Sequence, residues 1–145
     1  MCCGPQDIMT QIHKVFDPLA QKLGLLRCLE RRSSETVFSI AFQADDIGLE
    51  LNVDLADFFV YALLYKPSGD EIPVGYEDRT GGTQKIYVQE ALKQLDIKVA
   101  ETTRVLQKMG GDYHNCSEML ASIKDMVELH WSSLTAEKTR WFGGG

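Results

Sequence analysis

Apolar residues return every three or four positions near the start of the chain: Ile8, Met9, Ile12, Val15, Phe16, Leu19 and Leu23. That spacing puts them on one stripe of a helix from Gln6 to Leu23. Gly24 is placed to stop it. Pro18 lacks an N–H and crowds the preceding turn, so a bend or break is expected near Asp17. The period then changes. Leu25 to Glu30 reads as a short strand, and Val37, Phe38, Ile40 and Phe42 sit in a β-branched and aromatic run. Ile47, Leu49, Leu51 and Val53 alternate with Gly48, Glu50, Asn52 and Asp54, the pattern of a strand with one face buried and one in water. Ala44-Asp45-Asp46 and Asp54-Leu55-Ala56-Asp57 read as the tight connections at its two ends. Phe58 to Tyr65 is apolar throughout, as in a central strand covered on both faces, with a short buried helix as the alternative.

Lys66 to Thr83 is rich in glycine and proline and reads as a loop, with room for a short strand or a helical turn near Val74 to Tyr76. From Ile86 the spacing is helical again, through Val88, Leu92, Leu95, Val99 and Leu106, until Gly110-Gly111. A last helix is expected from about Asn115 to Leu134. Asn115 and Glu118 would cap it, and Met119, Leu120, Ile123, Met126, Val127 and His130 or Trp131 would face inward. Trp141-Phe142 would fold back on the body. Consecutive strands followed by consecutive helices indicate an α+β fold. The expectation is an N-terminal helix, an antiparallel sheet of three to four strands and two antiparallel C-terminal helices. The whole of 1–145 reads as a single domain, with 1–5 and 143–145 flexible.

Composition narrows this little. Apolar and charged residues, at 44% and 25%, are those of an ordinary globular protein. No apolar run approaches the roughly 20 residues that span a bilayer. The opening MCCGPQDIM has neither a basic nor an apolar leader segment, which points to a cytoplasmic protein with no membrane association. The four cysteines, Cys2, Cys3, Cys28 and Cys116, are too unevenly spaced for a disulfide framework and read as reduced thiols.

Charge is the strongest signal. Between Ser33 and Asp78 the chain has ten acidic residues and one basic residue, Lys66, while the whole chain carries −6. The remainder is therefore net basic. A domain seeking only solubility would intersperse the signs. Each acid alone is an ordinary surface charge, but together Asp45, Asp46, Glu50, Asp54, Asp57, Asp70, Glu71, Glu77 and Asp78 form a candidate binding face. A one-sided field speeds association with a basic partner and disfavours direct contact with nucleic acid. Tyr61, Tyr65 and Tyr76 are candidate anchors, since tyrosine is enriched at interface hot spots.

Catalytic patterns are weak. Gly81-Gly82-Thr83, between Arg79 and Lys85, lacks the length and lysine spacing of a phosphate loop. His114 and Cys116 are two ligands where zinc needs three or four. The acids do not follow a calcium-loop spacing. Either His13 or His130 beside Cys28 would make a thiol–base pair, but nothing in the sequence places them together. The expectation is a non-enzymatic protein with no cofactor and no metal.

In layout the chain resembles the bacterial immunity proteins that neutralise polymorphic or contact-dependent toxins. The resemblance runs from about Phe16 to Trp131. It rests on a helix ending in Lys22-Leu23-Gly24-Leu25, the alternating strand Ile47–Asp54 with the following Asp57, the Ile72-Pro73 segment, and a helical C-terminal third. It implies an inhibitor that occludes one cognate toxin domain, often through an acidic surface set against a basic active site such as a nuclease's. The small acidic chaperones of type III secretion are the alternative. They share the length, the low pI, the leading helix and the strand meander, but place further strands between their last two helices, where Leu92 to Trp131 here reads as helical.

Overall fold

A computed structural model of the chain describes residues 5–56, 59–77, 81–97 and 116–142. Helix α1 (Pro5–Leu23) carries the expected stripe: Ile8, Ile12, Phe16, Leu19 and Ala20 are buried, with Met9, Val15 and Leu23 packed beside them. The helix runs on through Pro18 instead of breaking. Pro18 lies on the exposed face, so the backbone bond it forfeits leaves a carbonyl that water can reach. Burial of Phe16 and Leu19 around it, at roughly 1.5–3 kcal/mol each, outweighs that cost. Gly24 stops the helix at φ 78°, with Leu25 N donating to Ala20 O and Gly24 N to Gln21 O. This pair of bonds is the Schellman closure, which favours glycine because of the positive φ.

Five strands follow: β1 (Arg27–Arg32), β2 (Val37–Gln43), β3 (Gly48–Asp54), β4 (Phe59–Tyr65) and β5 (Lys85–Tyr87), an antiparallel sheet in that order. The sheet thus has one strand more than the three to four expected. The addition is β5, too short to show an alternation and hidden inside a pattern that reads as helix from Ile86. Ala44 N bonds Ile47 O in the β2–β3 turn, and Ala56 N bonds the Asp54 carboxylate in the β3–β4 turn.

The register sorts side chains onto two faces. The inner face presents Phe38, Ile40 and Phe42 from β2, Leu49, Leu51 and Val53 from β3, and Val60, Ala62 and Leu64 from β4, all buried in the main core. Three helices complete that core. Helix α2 (Val88–Gln94) buries Val88, Ala91 and Leu92. Helix α3 (Cys116–Ala136) buries Met119, Leu120, Ile123, Met126, Val127, Trp131 and Leu134. The short α4 (Lys138–Trp141) brings Trp141 and Phe142 back onto the body, and Trp141 Nε1 donates to Leu134 O at 2.8 Å. Helix α2 ends at Gln94, with Asp96 at φ 61°, well before the expected stop. Val99, Leu106, Gly110-Gly111 and the Asn115 cap lie outside the described residues, as do Asp57, Asp78 and, of the ends expected to be flexible, 1–4 and 143–145, whereas Pro5 opens α1.

The outer face is read in rows across the strands. One row is Arg27, Gln43, Gly48, Tyr65 and Lys85; the next is Leu29, Ala41, Glu50, Leu63 and Tyr87. A third is Arg31, Ser39, Asn52 and Tyr61; a fourth is Val37, Asp54 and Phe59. The segment between β4 and β5 folds back over the first row and the β1 side of the second. Ile72 is buried with Ala41, Tyr65 and Leu29. Arg31 Nη1 donates to Ile72 O at 2.6 Å, and Gln43 Nε2 to Gly69 O at 3.1 Å. Gln84 Nε2 holds Val74 O and Gly75 O at 3.0 Å, so the segment is fastened along its length.

Candidate functional site

Under the rim of that segment sits Glu50, the acid at the centre of the alternating strand. Period two placed it on the outer face as expected, but not in water: its side chain is 1% exposed. Ser39 Oγ donates to Glu50 Oε2 at 2.7 Å, and Asn52 Nδ2 donates to Ser39 Oγ at 2.9 Å. Lys85 Nζ lies 2.7 Å from Oε1, an ionic contact without regular hydrogen-bond alignment. Arg31 adds a second cation at 3.9 Å. Glu50 is therefore corrected from partner-binding residue to internal strut. The alternation could not reveal this, because the cations that close on the carboxylate come from other strands, Arg31 from β1 and Lys85 from β5.

Tyr65 is corrected in the same way. Its ring is fully buried against Gly48, where a Cβ would stand 2.2 Å from the ring. Its hydroxyl donates to Gln43 Oε1 at 2.8 Å, and burial pushes its pKa far above the ordinary value. The other two candidate tyrosines remain at the surface, Tyr61 36% and Tyr76 50% exposed.

Among the described residues the remaining acids do not make one contiguous sheet face. Asp45 and Asp46 lie exposed at the β2–β3 turn, and Glu71 and Glu77 are exposed on the covering segment. Asp54 sits at the far end of β3, seven residues long, hence roughly 20 Å away at about 3.3 Å per residue. Ion pairs among the described residues hold Asp70 and Asp46. Asp70 meets Arg27, and Asp46 meets Lys138, whose hydrogen bond holds the Asp46 carboxyl below its usual range. Ser68 pairs with Glu71 and Glu77 with Thr83, while Lys66 N donates to Gln84 O. These pairings draw the loop acids toward the same end of the sheet as the Asp45-Asp46 turn.

Where the covering segment stops, the outer face is open, and that opening is aromatic. Phe59 is half-buried, and Tyr61, Tyr76 and Tyr87 are exposed, Tyr87 at 39%. Tyr76 and Tyr87 share a hydroxyl–hydroxyl hydrogen bond of 2.6 Å. That bond and burial push the Tyr76 phenol up to about 12, so it stays neutral at physiological pH. Phe59 and Tyr87 were missed as surface residues. The first lay in an unbroken apolar run and the second in the strand read as helix.

A second feature lies between α1 and β1: a groove of about 370 Å³ lined by His13, Asp17, Gln21, Leu25, Cys28 and Phe42 among others. The fold thus brings His13 and Cys28 to one place. His13 Nδ1 is 2.9 Å from Asp17 Oδ1, and Nε2 is 3.3 Å from Glu30 Oε1. Ionised carboxylates only accept, so the two acids together favour the protonated ring, in which both nitrogens donate. The hydrogen bond to Asp17 raises its pKa above 6.5 against partial burial, and Glu30 adds to the rise. A ring held in that protonated form has no free nitrogen to take a thiol proton. The Cys28 thiol is pushed up to about 11 by burial and by the charges of Glu30 and Asp17. The arrangement is a clamp between helix and edge strand, opposite in character to an activated thiolate.

Among the described residues no group of three or more His, Cys, Asp or Glu side chains is placed to hold a metal ion, and no helix is long and apolar enough to cross a membrane. No protein-family model, curated protein or solved structure matches the chain.

Proposed function

We propose that this chain is a protein-binding inhibitor of the immunity type, acting in the cytoplasm by stoichiometric occlusion of a cognate toxin domain with a basic surface. The observation that carries the reading is the half-covered outer face. One half is sealed by the segment between β4 and β5; the other leaves Tyr61 and Tyr87 in solvent on the sheet, with Tyr76 of that segment bonded to Tyr87 at its edge. Tyrosines on a fixed platform give large contact area, a polar tip and little side-chain entropy to lose. The exposed acids Asp45, Glu71 and Glu77 contribute the long-range attraction, which acts on encounter more than on residence. The contact surface is thus shifted from the alternating acids toward the tyrosines, with the acids around them.

The test is co-expression with a toxin domain encoded beside this gene, followed by titration of the purified pair. Protection that rises with dose, and inhibition complete at one-to-one stoichiometry, are expected. Protection by one copy of many toxin molecules would mean chemical modification and would overturn occlusion. The absence of any complex with the neighbouring product would overturn the immunity reading itself.

A further inference from the structure

The exposed rings are a continuous row and not separate surface residues. Phe59 and Tyr61 stack with centroids 5.7 Å apart and planes 21° from parallel. Tyr61 meets Tyr87 edge-on at 5.9 Å, and Tyr87 meets Tyr76 at 5.7 Å. The Tyr76–Tyr87 hydrogen bond ties the loop end of the row to β5. Carboxylates stand at both ends. Asp54 is the cross-strand partner of Phe59 on this face, and Glu77 follows Tyr76 in the chain. Among the described residues, the two cations of the outer face nearest this row in the sheet are directed elsewhere. Lys85 points to Glu50, and Arg31 to Glu50 and the carbonyls of Ile72 and Pro73.

We propose that this row receives an arginine side chain of the protein partner, the guanidinium lying on the tyrosine faces and turning its N–H groups toward the flanking carboxylates. This deepens the inhibitor reading and rests on it for the kind of partner, but the contact can be tested without that partner. Ring faces carry negative electrostatic potential and attract cations. A guanidinium is planar and weakly hydrated, so it stacks on a ring and still donates at its edge, which a lysine ammonium cannot do. Stacked nucleobases also suit exposed aromatics on a sheet. They would carry phosphates onto the face of a chain whose net charge is −6, with acids at both ends of the row. Charge complementarity therefore selects a basic protein segment.

The experiment is an aromatic-resonance NMR titration of the full chain with three probes: a short Gly/Arg peptide, its Gly/Lys counterpart of equal length and charge, and a single-stranded oligothymidylate. The arginine peptide is expected to shift the Tyr61, Tyr76 and Tyr87 ring signals saturably and to bind at least about fivefold tighter than the lysine peptide. Tyr87→Leu should weaken that binding about tenfold, while Tyr87→Phe, which keeps the ring, should stay within about twofold. Because the wild-type shifts locate the contact, a variant that failed to fold would not remove the test. Equal binding of the two peptides, shifts confined to the Asp45-Asp46 turn, or no binding would overturn the arginine site. Such a result would leave the inhibitor reading to the co-expression test. Oligothymidylate binding to the same rings would overturn it in favour of nucleic acid.

Discussion

Replacing Lys85 with methionine should destabilise the fold far more than a surface substitution does. The side chains of Glu50 and Lys85 are 1% and 6% exposed and 2.7 Å apart. Removing one member of a buried pair leaves the other charge desolvated, at a cost of about 3–5 kcal/mol. Two features place this case at the low end. Glu50 keeps the Ser39 hydrogen bond, and Arg31, 28% exposed and 3.9 Å away, can move closer. A loss of about 3 kcal/mol is expected, which lowers Tm by about 6–12 °C in a domain of this size. Glu50→Met should cost less, about 1–2 kcal/mol, because β5 is an edge strand and the lysine stem can turn its head to water. The double variant Glu50→Met/Lys85→Met should return to within about 1 kcal/mol of wild type, since an apolar pair replaces a desolvated ionic one. Urea unfolding followed by circular dichroism gives the whole cycle. A Lys85→Met loss below about 1 kcal/mol, or a double variant no better than Lys85→Met alone, would refute the claim that this pair is buried and coupled.

Gly48→Ala should cost about 1–3 kcal/mol by driving a Cβ into the Tyr65 ring, and much less in a Tyr65→Ala background; equal costs in the two backgrounds would show that the ring does not rest there. The His13 clamp should make stability depend on pH. Its folded pKa lies above the unfolded value of about 6.5, so its contribution is complete below that pH and is lost as pH rises through the folded pKa. His13→Gln should therefore lose its disadvantage on going from acid to alkaline pH, by an amount under about 1 kcal/mol for so exposed a pair, and a flat difference would exclude the imidazolium. Cys28 should alkylate about a hundredfold more slowly at neutral pH than an ordinary thiol when followed by peptide mass mapping, because its thiolate fraction falls with the raised pKa although the residue is exposed; a rapid reaction would contradict the acid-flanked environment. Reversing Asp45 and Glu71 to lysine should slow association with a basic partner at low salt and change dissociation little, and the opposite pattern would place those acids inside the interface.

Long periodic segments were legible in the sequence and short ones were not. The stripe from Ile8 to Leu23, the alternation from Ile47 to Asp54 and the inward face of α3 each repeat often enough to fix element and orientation. Lys85–Tyr87 is a strand because β4 offers it an open edge, a tertiary cause that three residues cannot announce. The same limit governs the candidate site. Alternation assigned Glu50 to the outer face, yet which outer residues are buried depends on Arg31, Lys85 and the returning Ile72 and Gly69, none of which the pattern of β3 can show. Acid content was visible along the chain, whereas its division between the two ends of β3 depends on turn positions in space. Tyr87 joined the surface through the same unread strand, and with it the ring row became continuous.

Amide hydrogen exchange on the chain, alone and in complex with the proposed partner, a toxin domain with a basic surface, tests the binding face most directly. The account predicts new protection in β4, β5 and the Val74–Glu77 stretch around Tyr61, Tyr76 and Tyr87, with α1 and the outer side of α3 unchanged. Protection concentrated on α1 and α3, with the tyrosine strands exchanging as in the free chain, would contradict it.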